Sequence, residues 1–128
     1  MSLFEDEDIA RYAIRLHPRA QRDMDTEGVR LAELQGDSWA LDWLSEIGAA
    51  MGKLATMPRR FALAPEAELV ERLVRVMLFR RSPKGAAWRV FFTVEEDTLD
   101  GRVVRVRHIR HAASPLTEQD AGEMLADG

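Results

Sequence analysis

The sequence of 128 residues predicts an α+β fold in which a hairpin of two helices packs on a small antiparallel sheet. Two observations lead to this prediction. Between residues 18 and 57, two stretches carry apolar residues at three- and four-residue spacing, which is typical of amphipathic helices. Four other stretches, one before the helices and three after them, alternate apolar residues with arginines, which is typical of half-buried strands. The predicted order is therefore βααβββ.

The first half of the chain contains a strand and the two helices. Residues 11–17 (RYAIRLH) alternate in the manner of a strand, and Pro18 ends that strand and suits the first turn of a helix. A helix is predicted from Pro18 to about Leu34, followed by a turn over residues 35–38. The second helix is predicted to reach about Met57, where Pro58 ends it. Residues 59–71 are predicted as a connector.

Three strands are predicted in the last third of the chain, over residues 73–81, 88–94 and 102–111. Their turns, 82–87 and 95–101, contain glycine and are short enough for antiparallel hairpins. Alternation assigns to one face the apolar residues Val74, Val76, Leu78, Trp88, Val90, Phe92, Val94, Val104 and Val106. The opposite face is predicted to carry Arg75, Arg81, Arg89, Arg105, Arg107 and His111, together with Met77 and Phe79.

A sheet face with this many arginines is expected to bind an anion, either nucleic acid or an acidic protein segment, because guanidinium groups match phosphate and carboxylate. Exposed Met77 and Phe79 on that face would favour a protein partner with apolar side chains of its own. The alternative is a polar face that is simply solvated, as antiparallel sheets often have.

The net charge of −4 is an average over unlike parts of the chain. Eight of the 22 acidic residues lie in residues 1–10 and 117–128, whereas all 18 basic residues lie in residues 11–116. This distribution predicts an acidic N-terminal extension (1–10), one domain (11–116) and an acidic C-terminal tail (117–128). The tail is expected to fray or to form a short helix capped by Thr117. Alternatively, both acidic ends fold over the basic face and screen it.

Several classes of protein are excluded by composition. The chain has no cysteine, so neither disulfides nor thiol chemistry are available. No apolar run approaches the roughly 20 residues needed to span a membrane, and the acidic N-terminus does not have the pattern of a signal peptide. The three histidines have no metal-ligand spacing. We therefore expect a cytoplasmic protein without metal or cofactor.

Three phrases, taken in order, resemble the RelE/ParE family of toxins from type II toxin–antitoxin (plasmid stabilisation) systems. They are IRLHPRAQRDMD, LATMPRRFALAPEAE and VRVMLFRR…WRVFFTVEEDTLDGRVVRVRHIRH, and the resemblance covers about residues 11–116. It implies a βααβββ fold and a cognate antitoxin that wraps a segment around the toxin. It also implies growth inhibition, by poisoning DNA gyrase or by cutting messenger RNA on the ribosome.

The resemblance to the RNA-cutting members implies a catalytic role for Arg89, which begins the third strand, for Arg81 and for His111. Arg75, Arg105, Arg107, Met77 and Phe79 would then bind phosphate or the partner. Ala112 and Ala113 stand where those members often place a tyrosine or another arginine, so the catalytic set is incomplete. Three alternatives follow: a ribosome-dependent endonuclease, a gyrase-directed toxin, or an inactive module that keeps only the partner-binding groove. A homodimer and a toxin–antitoxin hetero-oligomer are both compatible with the resemblance.

Overall fold

The computed structural model describes residues 10–67 and 72–126. The predicted acidic N-terminal extension, apart from Ala10, lies outside the described residues, and so does part of the predicted connector. The elements are β1 (Ala13–Leu16), α1 (Pro18–Gln35), α2 (Asp37–Gly52), β2 (Arg75–Arg80), β3 (Ala87–Thr98), β4 (Gly101–His111) and α3 (Glu118–Leu125). Two 3-10 turns, Lys53–Ala55 and Pro58–Arg60, follow α2.

The two long helices begin and end where local chemistry requires. Pro18 stands in the first turn of α1, and the His17 side chain caps this helix by accepting the Arg19 backbone N–H. Gly36 separates the helices with φ of +98°, a backbone conformation that favours glycine. The second helix ends at Gly52, earlier than the sequence indicates, because residues 53–55 tighten into a 3-10 turn.

The four strands form one sheet in the order β1-β4-β3-β2. The pairs β2–β3 and β3–β4 are antiparallel, as predicted, whereas β1 lies parallel to β4. The predicted α+β class and the βααβββ order are confirmed. The sheet is mixed rather than wholly antiparallel, because β4, the last of three consecutive strands, lies beside β1 and runs in the same direction.

Each face of the sheet packs against a different part of the chain. The hairpin face, which we define by Trp88, Val90 and Phe92 on β3, packs against α1 and α2 in the main core. The outer face is the opposite one and carries Arg89, Phe91 and Thr93 on β3. A second, smaller cluster forms on the outer face, where α3 packs; its buried members are Ala64, Val74, Phe91, Ala121 and Met124.

The predicted phase of β2 is wrong. Met77 and Phe79 are only 6% and 8% exposed and belong to the main core, next to Val90 and Trp88 in register. Leu78, predicted to be buried, is 59% exposed. Both phases of this strand are apolar, so alternation by itself could not decide which one faces the helices.

A β-bulge makes the predicted phase of β4 wrong in the last part of the strand. Phe91 pairs with His108 and Phe92 with Val106, so Arg107 is an extra residue on β4. Beyond Arg107 the faces exchange, and His111 pairs with Trp88 on the hairpin face. His111 therefore does not share the outer face with Arg89, contrary to the prediction.

Among the described residues, no helix is both long enough and apolar enough to cross a bilayer.

Candidate functional site

Arg89 lies on the outer face and forms a bidentate ion pair with Glu66. Its guanidinium donates two hydrogen bonds of 2.7 and 2.6 Å to the carboxylate of Glu66, and it lies 4.6 Å from the centre of the Phe91 ring. The hydrogen bond from Arg89 lowers the pKa of Glu66, and this effect exceeds the opposing effect of burial. The planar fork that could bind a phosphate is thus occupied by a carboxylate of the same chain.

Arg105 and Arg107 share the carboxylate of Glu95 on the outer face. Arg105 Nε donates to Glu95 at 2.9 Å, and an Arg107 nitrogen lies 3.5 Å from the same carboxylate. Arg107 is only 2% exposed, because it stands at the bulge and donates to the Thr93 hydroxyl and to the backbone carbonyl of Met124. Burial raises the pKa of Glu95, but hydrogen bonds and positive charge from Arg105 outweigh it, and the net pKa is lowered. Arg107 thus lies inside the fold rather than on the open surface that the sequence predicts.

Arg75, Met77 and Phe79 do not form part of an open binding face. Arg75 is half-buried and donates to the backbone carbonyls of Arg59 and Phe61, at 3.2 and 2.7 Å, so it ties the connector to β2. Met77 and Phe79 fill the core beneath the helical hairpin. Their predicted contact with a partner would require them to be exposed, and they are buried.

Arg81 and His111 line one cavity of about 310 Å³ at the hairpin face, together with Trp39 and Trp88. The Arg81 guanidinium lies 4.5 Å from the centre of the Trp39 ring, and its Nε donates to Glu46 at 2.8 Å. The His111 ring meets Trp88 edge-on, with 5.7 Å between ring centres. Two of the three predicted catalytic residues are therefore neighbours, and the third, Arg89, lies on the other side of the sheet.

A larger cleft of about 750 Å³ lies between α1 and the end of β4. Its lining carries four arginines: Arg19, Arg22, Arg30 and Arg110. Of these, Arg22 is the most exposed, with 69% of its side chain accessible. Sequence reasoning assigned no role to the α1 members, although three- and four-residue spacing along a helix places them near one face. These helix residues lie far in sequence from the predicted arginine strands, so this cleft was not predicted.

A carboxylate–imidazole pair closes the floor of that cleft. Asp23 accepts from His108 Nδ1 at 2.5 Å and from the backbone N–H of Ile109 at 3.0 Å. Burial raises the pKa of Asp23, but these hydrogen bonds and the nearby positive charges lower it by more. His108 is 1% exposed and stacks on Phe91 with 5.8 Å between ring centres. His108 therefore lies inside the fold, in contact with Asp23 and Phe91.

No group of His, Asp and Glu side chains within residues 10–67 and 72–126 has an arrangement that could hold a metal ion. Arginines supply most of the charge in these cavities, and nearly all of them contact a carboxylate. An acidic group that entered either cavity would have to exchange with these carboxylates for the arginines.

Comparisons with known proteins agree with this fold. Residues 14–113 match the family model described as "ParE toxin of type II toxin-antitoxin system, parDE". Among solved structures, a chain of the "Chromosomal ParDE TA system from P. aeruginosa" is similar, with a TM-score of 0.59 and 18% identity. That likeness covers 80% of the present chain and 97% of the other, and at this identity it concerns the fold. A search of curated proteins finds no match.

Proposed function

Because the chain belongs to the ParE toxin family of type II toxin–antitoxin systems, we propose that it arrests bacterial growth by acting on DNA gyrase and that a cognate antitoxin neutralises it. The proposal places the protein in the cytoplasm, where gyrase and the ribosome both act. It also implies a toxin–antitoxin hetero-oligomer as the resting state.

One observation supports gyrase over messenger RNA as the target: Arg89 and His111 lie on opposite faces of the sheet. Cleavage of RNA through its 2′-OH needs a base, an acid and a cation around one phosphate. Arg89 is bound to Glu66 on the face opposite His111, so it does not stand beside a phosphate at which His111 would act as base or acid. Arg81 is near His111, but Glu46 and Trp39 engage its guanidinium.

The experiment compares two activities of the purified chain. We expect inhibition of gyrase-dependent supercoiling of relaxed plasmid, and no cleavage of messenger RNA on translating ribosomes. Expression of the chain alone in a bacterial host should arrest growth, and His111→Gln should arrest it equally. Ribosome-dependent RNA cleavage, lost in His111→Gln, would instead identify a ribonuclease.

A second candidate function is a non-toxic binding module that keeps only the partner groove. The pairing of Arg89 with Glu66 and of Arg105 with Glu95 favours it, because these cations are neutralised within the chain. Under this alternative, expression at a level verified by immunoblot leaves growth unchanged, while the antitoxin still binds. Growth arrest at that level would exclude it.

A further inference from the structure

The acidic tail folds into a helix that covers part of the outer face. Thr117 caps α3, and its side chain and the carboxylate of Asp120 form a reciprocal capping box. Ala121 and Met124, which are 6% and 0% exposed, pack in the cluster that contains Phe91 on β3. The tail is therefore an amphipathic helix with its apolar side on the sheet.

Basic side chains of the body surround this helix and bind its acidic and carbonyl groups. Arg19 on α1 binds Asp120 at 2.7 Å and also binds Glu123, and Arg110 on β4 binds Asp120 at 2.8 Å. Burial raises the pKa of Asp120, but hydrogen bonds from Thr117 and Arg19 and the charge of Arg110 lower it by more.

Two further groups bind the C-terminal end of α3, where helix carbonyls lack partners within the helix. Arg107 donates to the Met124 carbonyl at 3.1 Å. His17 accepts the Arg19 backbone N–H through Nδ1, so its proton is on Nε2, which donates to the Ala126 carbonyl at 2.6 Å. The body thus presents an apolar floor, basic sides and donors for carbonyl groups, which together fit an acidic amphipathic helix.

The covering helix lies outside the family match, which ends at residue 113. An isolated helix of eight residues is unstable in water, so α3 depends on the surface it packs against. Gly122, exposed in its middle, lowers its helix propensity further. The same surface without α3 is open to another helix of similar chemistry.

We propose that α3 is an intramolecular occupant of a docking surface for an acidic amphipathic helix of the antitoxin, and that the antitoxin displaces α3 when it binds. This inference rests on the proposed function for the identity of the partner. The surface itself is defined by Arg19, Arg107, Arg110, His17 and Phe91 and does not depend on that function. The antitoxin helix then competes with α3 and its ion pairs for this surface, and the competition sets the affinity of the antitoxin.

Gly122 allows the occupancy of α3 to be changed in both directions within the full chain. A Cβ at this position meets no heavy atom within 4 Å, so Gly122→Ala strengthens the helix without a clash. Gly122→Pro removes a helical N–H and weakens it. The probe is a fluorescent peptide of residues 114–126, added to each full-length protein. We expect Gly122→Pro to bind the peptide at least about ten-fold more tightly than wild type, and Gly122→Ala no more tightly than wild type.

Matched peptides test the chemistry of the surface. A peptide with Asp120→Asn and Glu123→Gln should bind Gly122→Pro at least about ten-fold more weakly, because it cannot pair with Arg19 and Arg110. The control is Glu118→Gln, which removes an exposed carboxylate that forms no ion pair with any described residue of the body; this peptide should bind as the parent peptide does. Equal binding of the parent peptide to all three proteins, or to none, would overturn the inference.

A second measurement covers the case in which Gly122→Pro does not fold. An excess of the unlabelled parent peptide should speed hydrogen exchange of the α3 amides in wild type while leaving β3 unchanged. Unchanged exchange in α3 would overturn the inference. So would a wild-type dimer that dissociates on addition of peptide, because the surface would then belong to a second copy. If the peptide binds but expression does not arrest growth, the proposed function fails and the docking surface remains; the reverse result rejects the docking surface alone.

Discussion

The guanidinium of Arg89 and the carboxylate of Glu66 form a bidentate ion pair with distances of 2.7 and 2.6 Å. Both side chains are 16% exposed, so the pair is partly shielded from solvent. Glu66 belongs to the segment before β2, and the pair attaches that segment to the outer face of the sheet. Any phosphate that approached Arg89 would first have to displace Glu66.

Glu66→Gln should reduce the free energy of unfolding by about 1–2 kcal/mol, because a charge-assisted bidentate pair is replaced by weaker hydrogen bonds. Urea denaturation at pH 7 measures the change. Glu33→Gln, at an exposed site on α1, is the control and should change stability by less than about 0.5 kcal/mol. Equal effects of the two substitutions would show that the pair does not stabilise the fold.

Phe79→Ala should destabilise the protein by about 3–5 kcal/mol, because Phe79 is 8% exposed and packs in the main core. Leu78→Ala, one residue earlier, should change stability by less than about 0.5 kcal/mol, because Leu78 is 59% exposed. Thermal denaturation of both variants determines the phase of β2 directly. A larger effect at Leu78 would restore the phase that alternation alone predicts.

Gly28→Ala should stabilise α1 by about 0.5–1 kcal/mol, because alanine is the better helix former and its Cβ would meet Leu44 at 3.5 Å, an ordinary contact distance. Gly36→Ala should destabilise by about 1–3 kcal/mol, because its φ of +98° is strained for alanine although the space around it is open. Opposite shifts in Tm are expected from chemically identical substitutions. A shift in the same direction for both would contradict this account.

Acid should destabilise the fold partly through Asp23, whose pKa is lowered from its ordinary value of 3.8. A carboxyl with a depressed pKa stabilises the fold at pH values above its unfolded pKa. That contribution is lost as the pH falls through the folded pKa. The free energy of unfolding of wild type should therefore fall steeply below about pH 4.

Asp23→Asn should make that fall less steep, which urea denaturation at a series of pH values measures. Asp25→Asn, at an exposed site two residues further along α1, is the matched control and should keep the slope of wild type. An unchanged slope in Asp23→Asn would mean that the hydrogen bonds from His108 and Ile109 do not favour the ionised form of the Asp23 carboxyl over the protonated form.

The structure places only some of the predicted site residues on the predicted face of the sheet. Arg89 and Arg105 lie on the outer face as alternation predicts, because β3 and the first part of β4 are regular. His111 changes face because the bulge at Arg107 adds one residue, and no local pattern in the sequence signals that bulge. The division of the chain at residues 10 and 117 stays a prediction.

The sequence by itself determined the class, the order of the elements and the cap at Thr117, because periodicity, prolines and capping residues act over a few neighbouring positions. The tertiary structure alone decided which face of β2 is buried and which carboxylates neutralise the arginines. Arg19 and Asp120 are 101 residues apart in sequence, and Arg89 and Glu66 are 23 apart, so neither ion pair could be predicted from local spacing. The helix of the acidic tail covers part of the outer face for the same physical reason: long-range packing and charge pairing place it there.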